Sequence, residues 1–437
     1  VAETYRFFDA QGLAGAWTLG TVLTGRYELV GRWSLPGGFG DEVIDGNRHL
    51  VGDGWQQQVG TSGEIEPMSG ISFMAGTPPC SGFSLLNRSR GENARGASSN
   101  INDCMKELIA AAGRFRGADG GHGPEVVAFE SVQGAFKEGR DLMLWLRDDL
   151  SERTGEAYSI THVLMSGSSV GAAQMRHRYY PIFHRVPFGL TPPAPKHVIT
   201  YDDAIGDLCE LAMTWDAQSY VRPVLNEWAA RKRRVDGLVT DHVAVDSGRL
   251  VRYINEALED TPHGWLPGES VKDLVKRTGV VPKTIWETRY VEEDESGNPY
   301  LVGWGWPKRI RADRPGYVLT GGSVSQFVHW EEPRLLTVRE CSRLMGYPDA
   351  WRWDMARNQK QAGSWIGKCC PVDSGRWISD HVAFSLDDPD DARALANDFT
   401  EKLDERERLY DCTLDYRKWP EEVSGWTAKP RELTSST

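Results

Sequence analysis

Apolar residues in the first third of the chain fall into short dense runs broken by small-residue turns. The run around Phe7 and Phe8 passes through AQGLAGAWTLG into YELVGRW, the order of a βαβ unit. A third run, ISFMAG, stops at Thr77-Pro78-Pro79-Cys80, and a fourth, EVVAFESV, brings Glu130 to its end. Stretches 102–112 and 139–152 carry helical spacing. Alternation of this kind predicts an α/β fold, a parallel sheet with helices on both faces. Functional groups on such sheets collect just past the strand C-termini, where Cys80 and Glu130 both fall.

The pattern changes at about Val186. Prolines cluster in PFGLTPPAP, and the chain to about Val328 mixes aromatic, basic and turn residues without a steady period, as an inserted second domain would. Regular signals return at LLTVRECSRLMGY, which suits an amphipathic helix, and around GRWISDHVAFSL. The expected division is therefore 1–185 and 329–386 in one domain, 186–328 inserted, and a charged, partly helical extension over 387–437.

Length and composition fit this picture. A chain of 437 residues with 40% apolar and 26% charged residues is a folded protein of about two domains. It has no apolar run long enough to span a membrane and no signal-like start, so a cytoplasmic protein without a membrane partner is expected. Seven scattered cysteines do not form a disulfide framework, and neither HxxxH nor CxxC spacing occurs, so no metal site is expected. The net charge of −12 speaks mildly against nucleic acid. Charge is uneven, however, with basic clusters at Arg176, Arg178 and Arg185, at Arg231 to Arg234, and at Lys308 to Arg314.

The segment GTPPCSGFS sets a thiol in a stiff turn after a strand, with prolines before it and glycines on both sides. A cysteine in such a place is a small core residue about as often as a nucleophile. Glu130 changes the balance. A thiolate and a carboxylic acid are the two groups needed to attack C6 of a cytosine and relieve the charge at N3, which makes C5 reactive.

The chain resembles the DNA cytosine-C5 methyltransferases, whose motifs it carries in the family's order. Pro79-Cys80 matches the nucleophile turn, Glu130-Ser131-Val132 the Glu-Asn-Val motif, and Gln174, Arg176 and Arg178 the Gln-x-Arg-x-Arg motif. Arg334, Leu336, Thr337, Arg339 and Glu340 match a later helix motif, followed by Arg343, Leu344, Gly346, Tyr347 and Pro348. The resemblance implies a Rossmann-like, S-adenosylmethionine-dependent methyltransferase sheet with an inserted, smaller target-recognition domain. It makes Cys80, Glu130, Arg176 and Arg178 the catalytic set acting on a cytosine flipped out of double-stranded DNA. Asp9, Gln11, Gly12, Leu13, Ala14, Gly15, Trp17 and Pro78 fall at the donor site. Ser84, Arg88, Arg90, Arg95 and Gln174 fall at the DNA, the arginines on a Gly- and Ser-rich loop over 84–100. A monomer serving restriction-modification or phage DNA modification is expected.

The donor site departs from the family. Its Asp-Leu-Phe-Ala-Gly-x-Gly-Gly loop stands here as Asp9-Ala10-Gln11-Gly12-Leu13-Ala14-Gly15-Ala16, so an aromatic has become Gln11 and a glycine Leu13. No acid follows the second strand between Arg32 and Phe39, which leaves the ribose contact to Asp41 or Glu42 or to nothing. The asparagine of the last motif has become Lys368. A lysine at about 5 Å from a sulfonium would cost roughly 3 kcal/mol at an effective dielectric near 20, unless an anion intervenes. Two donors are consistent with this: S-adenosylmethionine with Lys368 turned away, or carboxy-S-adenosylmethionine with Lys368 and Gln11 on its carboxylate, giving 5-carboxymethylcytosine. An inactive DNA-binding homologue is the alternative of another class.

Overall fold

The computed structural model describes residues 3–37, 40–85, 87, 89, 91–116, 121–193, 198–209, 219–220, 232, 238–239, 241–243, 248–259, 264–286, 288–303, 305–322 and 326–413. The chain divides into two compact units, residues 1–198 with 369–437, and residues 199–368.

The first unit is a nine-stranded sheet. Strands β1 (Tyr5–Ala10), β2 (Tyr27–Ser34), β3 (Gln56–Val59), β4 (Phe73–Gly76) and β5 (Val126–Phe129) run parallel. They are followed in sequence by β6 (Ser159–Ser166) and β7 (His177–His184), of which β7 is antiparallel to both neighbours. Helices α1 (Ala16–Val22), α2 (Asp41–Gly46), α3 (Arg48–Val51), α4 (Asp103–Arg114) and α5 (Gly134–Thr154) connect them, and α6 (Val372–Asp387) packs on α1. Gly20 permits that last contact, because a Cβ there would stand 2.5 Å from the Val372 carbonyl oxygen. The doubly wound α/β sheet expected from the sequence is present, with its apolar core built on β1, β4 and β5 against α4 and α5.

Of the five strands beyond the four runs read from the sequence, three carry no hydrophobic pattern. β3 is Gln-Gln-Gln-Val at the sheet edge, where backbone pairing to β2 suffices and one face stays in water. At the other edge, the charged tail forms α7 (Pro389–Phe399) and a hairpin of β8 (Glu401–Asp404) and β9 (Glu407–Cys412), and β9 pairs in parallel with β6. Its first residue, Glu407, is buried and takes a bidentate hydrogen bond from Arg140. It also meets His162 Nε2 at 2.8 Å, while His162 Nδ1 lies 2.6 Å from the Tyr179 hydroxyl. A neutral imidazole that donates to Glu407 and accepts from Tyr179 satisfies all three groups. The tail is thus part of the sheet rather than an extension outside it.

The second unit contains helices over Tyr201–Ile205, Gly248–Glu259, Val271–Thr278, Lys283–Trp286, Val338–Leu344 and Gln359–Lys368, with short two-stranded ribbons. Its limits differ from the expected 186–328 because the helix Val338–Leu344 is tied into it by buried ion pairs. Arg339 meets Asp241 at 3.0 Å, Arg343 meets Asp207 at 2.5 Å, and Arg343 also grips Asp349. A buried guanidinium is tolerated only with such partners, so these pairs fix where the helix belongs. Among the described residues, no helix is long and apolar enough to cross a membrane.

Burial pushes the His162 and His184 imidazoles down to about 4, so both are neutral in the fold at pH 7. Burial opposes ionisation of Glu407 as well, but hydrogen bonds from Arg140 and His162 leave its carboxyl below the usual range. In the unfolded chain histidine titrates near 6.5, so the unfolded state takes up these protons first. The stability held by neutral histidines is complete above about pH 6.5 and is lost as pH falls toward 4, with Glu407 adding to the loss below about 4.3. The urea midpoint should fall steadily over that interval, and more gently in His184→Gln; a flat midpoint in the native protein would contradict the assignment.

Candidate active site

β4 ends at Gly76, whose absent side chain lets Ala10 approach, since a Cβ there would stand 1.6 Å from the Ala10 carbonyl oxygen. Four residues on, Cys80 takes φ −110 and ψ 6, the sparsely populated bridge region often used at reactive positions, and opens a short 3₁₀ turn. Phe83 anchors that turn. It is fully buried and docks on α5 at Gly134 and Gly139, where a Cβ would come within 2.4 Å and 2.5 Å of it. Cys80 itself stays partly exposed.

β5 delivers the acid. The Glu130 N–H donates to the Gly76 carbonyl at 2.9 Å, which binds the ends of β4 and β5 together. Ser131 and Tyr179 then exchange two backbone hydrogen bonds of 2.8 and 2.9 Å, which pins the register between the end of β5 and β7. Side chains alternate along a strand, so Glu130, Arg176, Arg178 and Tyr180 share one face while Tyr179 turns to the other. On the shared face Arg178 Nε lies 2.5 Å from Glu130 Oε1 and Arg176 Nε 3.8 Å from it, with Glu130 and Arg176 almost wholly buried. Neither contact has hydrogen-bond alignment, so the carboxylate is ion-paired but its Oε1 remains open to another donor.

This cluster sets the chemistry of the thiol. Burial and the Glu130 carboxylate push Cys80 up to about 11, against the pull of Arg178, Arg176 and a backbone hydrogen bond from Val132. Arg176 is itself lowered to about 10 by burial and by Arg178, and is still a cation at neutral pH. The sequence reading missed Cys370, a buried second thiol close enough for Glu130 and Arg176 to act on its titration, which burial drives far upward.

The loop after β1 lies at the C-terminal end of the strand beside β4. Asp9 is buried, accepting from Thr18 at 2.6 Å and from Arg32 Nε at 2.9 Å, while its second oxygen has no partner. Gly12 must be glycine, because a Cβ would lie 1.9 Å from that oxygen. Gln11 and Leu13 both adopt left-handed backbone, with φ of 62 and 51, and Gly15 does so with φ 80. Gln11 donates to the Cys104 carbonyl at 3.2 Å, leaving its own buried carbonyl unpaired. Arg32, fully buried, also donates to the Leu13 carbonyl at 2.6 Å and pairs with Asp41, whose second oxygen accepts from Ser34 at 2.7 Å. Asp41, rather than Glu42, therefore stands at the end of β2. Open acceptors on Asp9 and Gln11, a glycine cradle and a carboxylate beyond the second strand fit a ligand that offers an ammonium and ribose hydroxyls.

The sequence pattern of the family described as C-5 cytosine-specific DNA methylase matches residues 56–382. This chain belongs to that family. It is 22% identical over 378 residues to the type II methyltransferase M.AgeI of Thalassovita gelatinovora, covering 72% of this chain and 83% of that protein. It is 26% identical over 354 residues to DNA (cytosine-5)-methyltransferase 1A of Oryza sativa subsp. japonica, covering 69% of this chain and 21% of the plant protein. The chain thus spans about a fifth of the length of the plant relatives it matches. A crystal structure described as a DNA modification methyltransferase encoded within an E. coli prophage shares the fold. Its TM-score is 0.56 at 15% identity, covering 88% of this chain and 100% of that one.

Within this C-5 methylase fold the remaining expected residues are dispersed. Pro78 is buried behind the nucleophile. Trp17 is a correction: its ring is wholly buried against Tyr180, Phe73 and Gly375, so it serves the core under α1 and not the crevice. Arg95 is exposed but ion-paired with Glu138 on α5, and Gln174 is buried. Ser84 is partly exposed, and Arg88 and Arg90 lie outside the described residues. The returning part of the 84–100 loop is held at the nucleophile turn, through Gly96 N–H on the Gly82 carbonyl and Asn102 on the Gly96 and Ala97 carbonyls. Lys368 is exposed at the end of its helix in the second unit, where its stem lies against Gly321. Cys209, His329 and Glu332 bring potential metal-ligand atoms within 4.8 Å of one another. His329 Nδ1 already accepts from two backbone N–H groups, so its proton sits on Nε2 toward Cys209 and no lone pair is left for an ion.

Raised to about 11, Cys80 should alkylate with iodoacetamide at pH 8 at least roughly tenfold more slowly than free cysteine, as followed by peptide mass mapping. Glu130→Gln removes the neighbouring negative charge and should speed the reaction; a slower variant would reverse the assigned electrostatics. Leu13→Gly relieves a left-handed leucine and should raise stability by about 1 kcal/mol, read as a higher urea midpoint at unchanged slope.

Proposed function

We propose that the protein transfers a methyl group to C5 of cytosine in double-stranded DNA, with S-adenosylmethionine as donor. The observation that carries this reading is the convergence of Cys80, Glu130, Arg176 and Arg178 past the ends of β4 and β5. The target base leaves the stack to reach them. Cys80 Sγ bonds to C6 as its proton passes through the Glu130 carboxyl to N3, and the electrons displaced from the C5–C6 double bond move to a C4–C5 double bond, leaving C5 nucleophilic. Arg176 and Arg178 keep Glu130 in place and favour the thiolate once the base has displaced water. After transfer the C5 proton leaves to a base and Sγ departs from C6, which restores the double bond and frees the enzyme.

Asp9, Gln11, Gly12 and Gly15 would hold the donor's amino acid portion, and Asp41 its ribose hydroxyls. When bound, S-adenosylmethionine supplies an electrophilic methyl group. The second unit, residues 199–368, takes the place of a target-recognition domain. The free cysteines suit a reducing cytoplasm, and the type II methyltransferases among the relatives suit a modification system, in which the protein acts as a monomer.

A second reading replaces the donor by carboxy-S-adenosylmethionine, giving 5-carboxymethylcytosine. It is favoured by the exposed Lys368 in place of the family's asparagine. Gln11 does not share in it, because its unpaired atom is a carbonyl oxygen, which repels a carboxylate and attracts an ammonium. Incubation with cytosine duplexes and each donor, then digestion and mass measurement of nucleosides, separates the readings. A methyl product alone is expected and sinks the second reading; a carboxymethyl product lost in Lys368→Asn would establish it. Cys80→Ala should abolish product with duplex binding retained, whereas binding without product in the native protein would point to an inactive homologue.

A further inference from the structure

The second unit contains an arrangement that the family motifs do not include. Helix Val271–Thr278 opens on a capping box between Ser270 and Asp273 and ends at Gly279, whose φ of 72 supplies the left-handed turn. Four residues later begins the helix Lys283–Trp286, whose turn is carried on by a Thr288 N–H bond to the Ile285 carbonyl. Leu274, Val275 and Ile285 are buried, as are Ile254 and Ala257 on helix Gly248–Glu259, which packs against Lys283–Trp286. Glu256 of that helix accepts from both the N–H and the hydroxyl of Thr284 at 3.0 Å and so locks the second helix onto the first. An antiparallel hairpin, Val291–Glu293 with Pro299–Leu301, follows and packs on helix Val271–Thr278. Two helices joined by a short glycine-containing turn, backed by a third helix and followed by a hairpin, form a helix-turn-helix with a wing.

Its outer face is unusual for a chain of net charge −12. Lys272, Lys276, Lys283 and Arg289 are exposed, and no described carboxylate lies within salt-bridge distance of them. Asp273 is held in the capping box with Ser270, with Lys308 and Lys276 acting on its charge, and Glu269 pairs with Arg277. Trp286 and Tyr290 stand between the cations, 51% and 39% exposed, and Arg289 lies 5.1 Å over the Tyr290 ring. Residues 272 and 276 share one face of their helix, as do 283 and 286 of theirs. An exposed indole set among cations that no described carboxylate meets suits a surface that contacts a polyanion with base edges or rings to touch. The hairpin tip has the opposite sign, with Glu292 to Glu295, of which Glu292 is held by Tyr300 and Asp294 by Asn298. Phosphate is therefore excluded from the tip and directed to the helices.

We propose that residues 271–301 dock duplex DNA through this helix-turn-helix, with Lys272 and Lys276 on phosphates and Lys283 and Trp286 toward base edges. The proposal rests on the reading that the protein acts on DNA, and it assigns that contact to one element of the second unit. Anisotropy titration of labelled duplexes with the full chain tests it. Lys272→Gln with Lys276→Gln should weaken binding uniformly across sequences and reduce the slope of log affinity against log salt by about 2. Lys283→Ala with Trp286→Ala should lower preference among duplex sequences roughly tenfold or more. All four side chains are exposed, and an unchanged urea midpoint and Cys80 alkylation rate show that the fold is intact. Folded variants with native affinity, slope and preference would overturn the assignment. So would a loss of heparin binding equal to that of duplex with preference unaltered, which reduces the face to a general anion surface. Nucleoside products of the native protein are scored separately: their absence sinks the transfer reaction and leaves this contact standing, and their presence beside unaffected variants sinks this contact alone.

Discussion

The buried carboxylate of Glu130 is the constraint around which the catalytic unit is arranged. Taken out of water alone, such a group would cost several kcal/mol, and the fold offsets this by bringing two guanidiniums from a strand of opposite direction. That requirement explains why β7 lies antiparallel beside β5 and why Ser131 and Tyr179 fix its register. A slip of one residue would turn Arg176 and Arg178 to the far face and leave Glu130 without a partner. The same cluster governs Cys80, whose thiol is held protonated at neutral pH by burial and by the Glu130 carboxylate.

The support for this register comes from far along the chain. Tyr179, on the reverse face, hydrogen-bonds His162, which holds Glu407 of β9. The family pattern ends at residue 382, yet the sheet edge behind the catalytic strand is completed by residues 401–412. The β1–β2 side shows a comparable device. Arg32 ties Asp9 of β1, the Leu13 carbonyl of the loop and Asp41 of α2 into one buried assembly. A loop that has lost a glycine, and carries a leucine in left-handed backbone instead, is held in shape by that guanidinium. The family match begins at residue 56 and so leaves out β1, β2 and the loop between them.

In the second unit the family's conserved-looking helix motif turns out to be structural. Arg334 with Glu340, Arg343 with Asp349 and Asp207, and Arg339 with Asp241 are buried pairs inside that unit. Residues that stand as a motif in the linear string are there to neutralise one another. Exposed cations of this unit include Lys272, Lys276, Lys283 and Arg289, with no described carboxylate within salt-bridge distance. Charge that is buried and matched holds a fold together, and charge that is exposed and unmatched is available to a partner.

What the sequence determined was the set of strongly apolar strands, the turn that carries Cys80, and Glu130 at a strand end, because hydrophobic period and proline chemistry are local properties. It also determined the family, since short motifs keep their order whatever the fold does with them. Only the tertiary structure decided the rest. The polar edge strand β3 and the charged β9 are stabilised by backbone pairing with neighbours remote in sequence, so no local period announces them. Asp41 reached the end of β2 through Arg32 and Ser34, and Trp17 was taken into the core by Tyr180 and Gly375, contacts that no spacing encodes. The ionisation of Cys80 was decided in the same way, by burial and by charges at the end of β5 and the start of β7, which become neighbours only when the sheet is assembled.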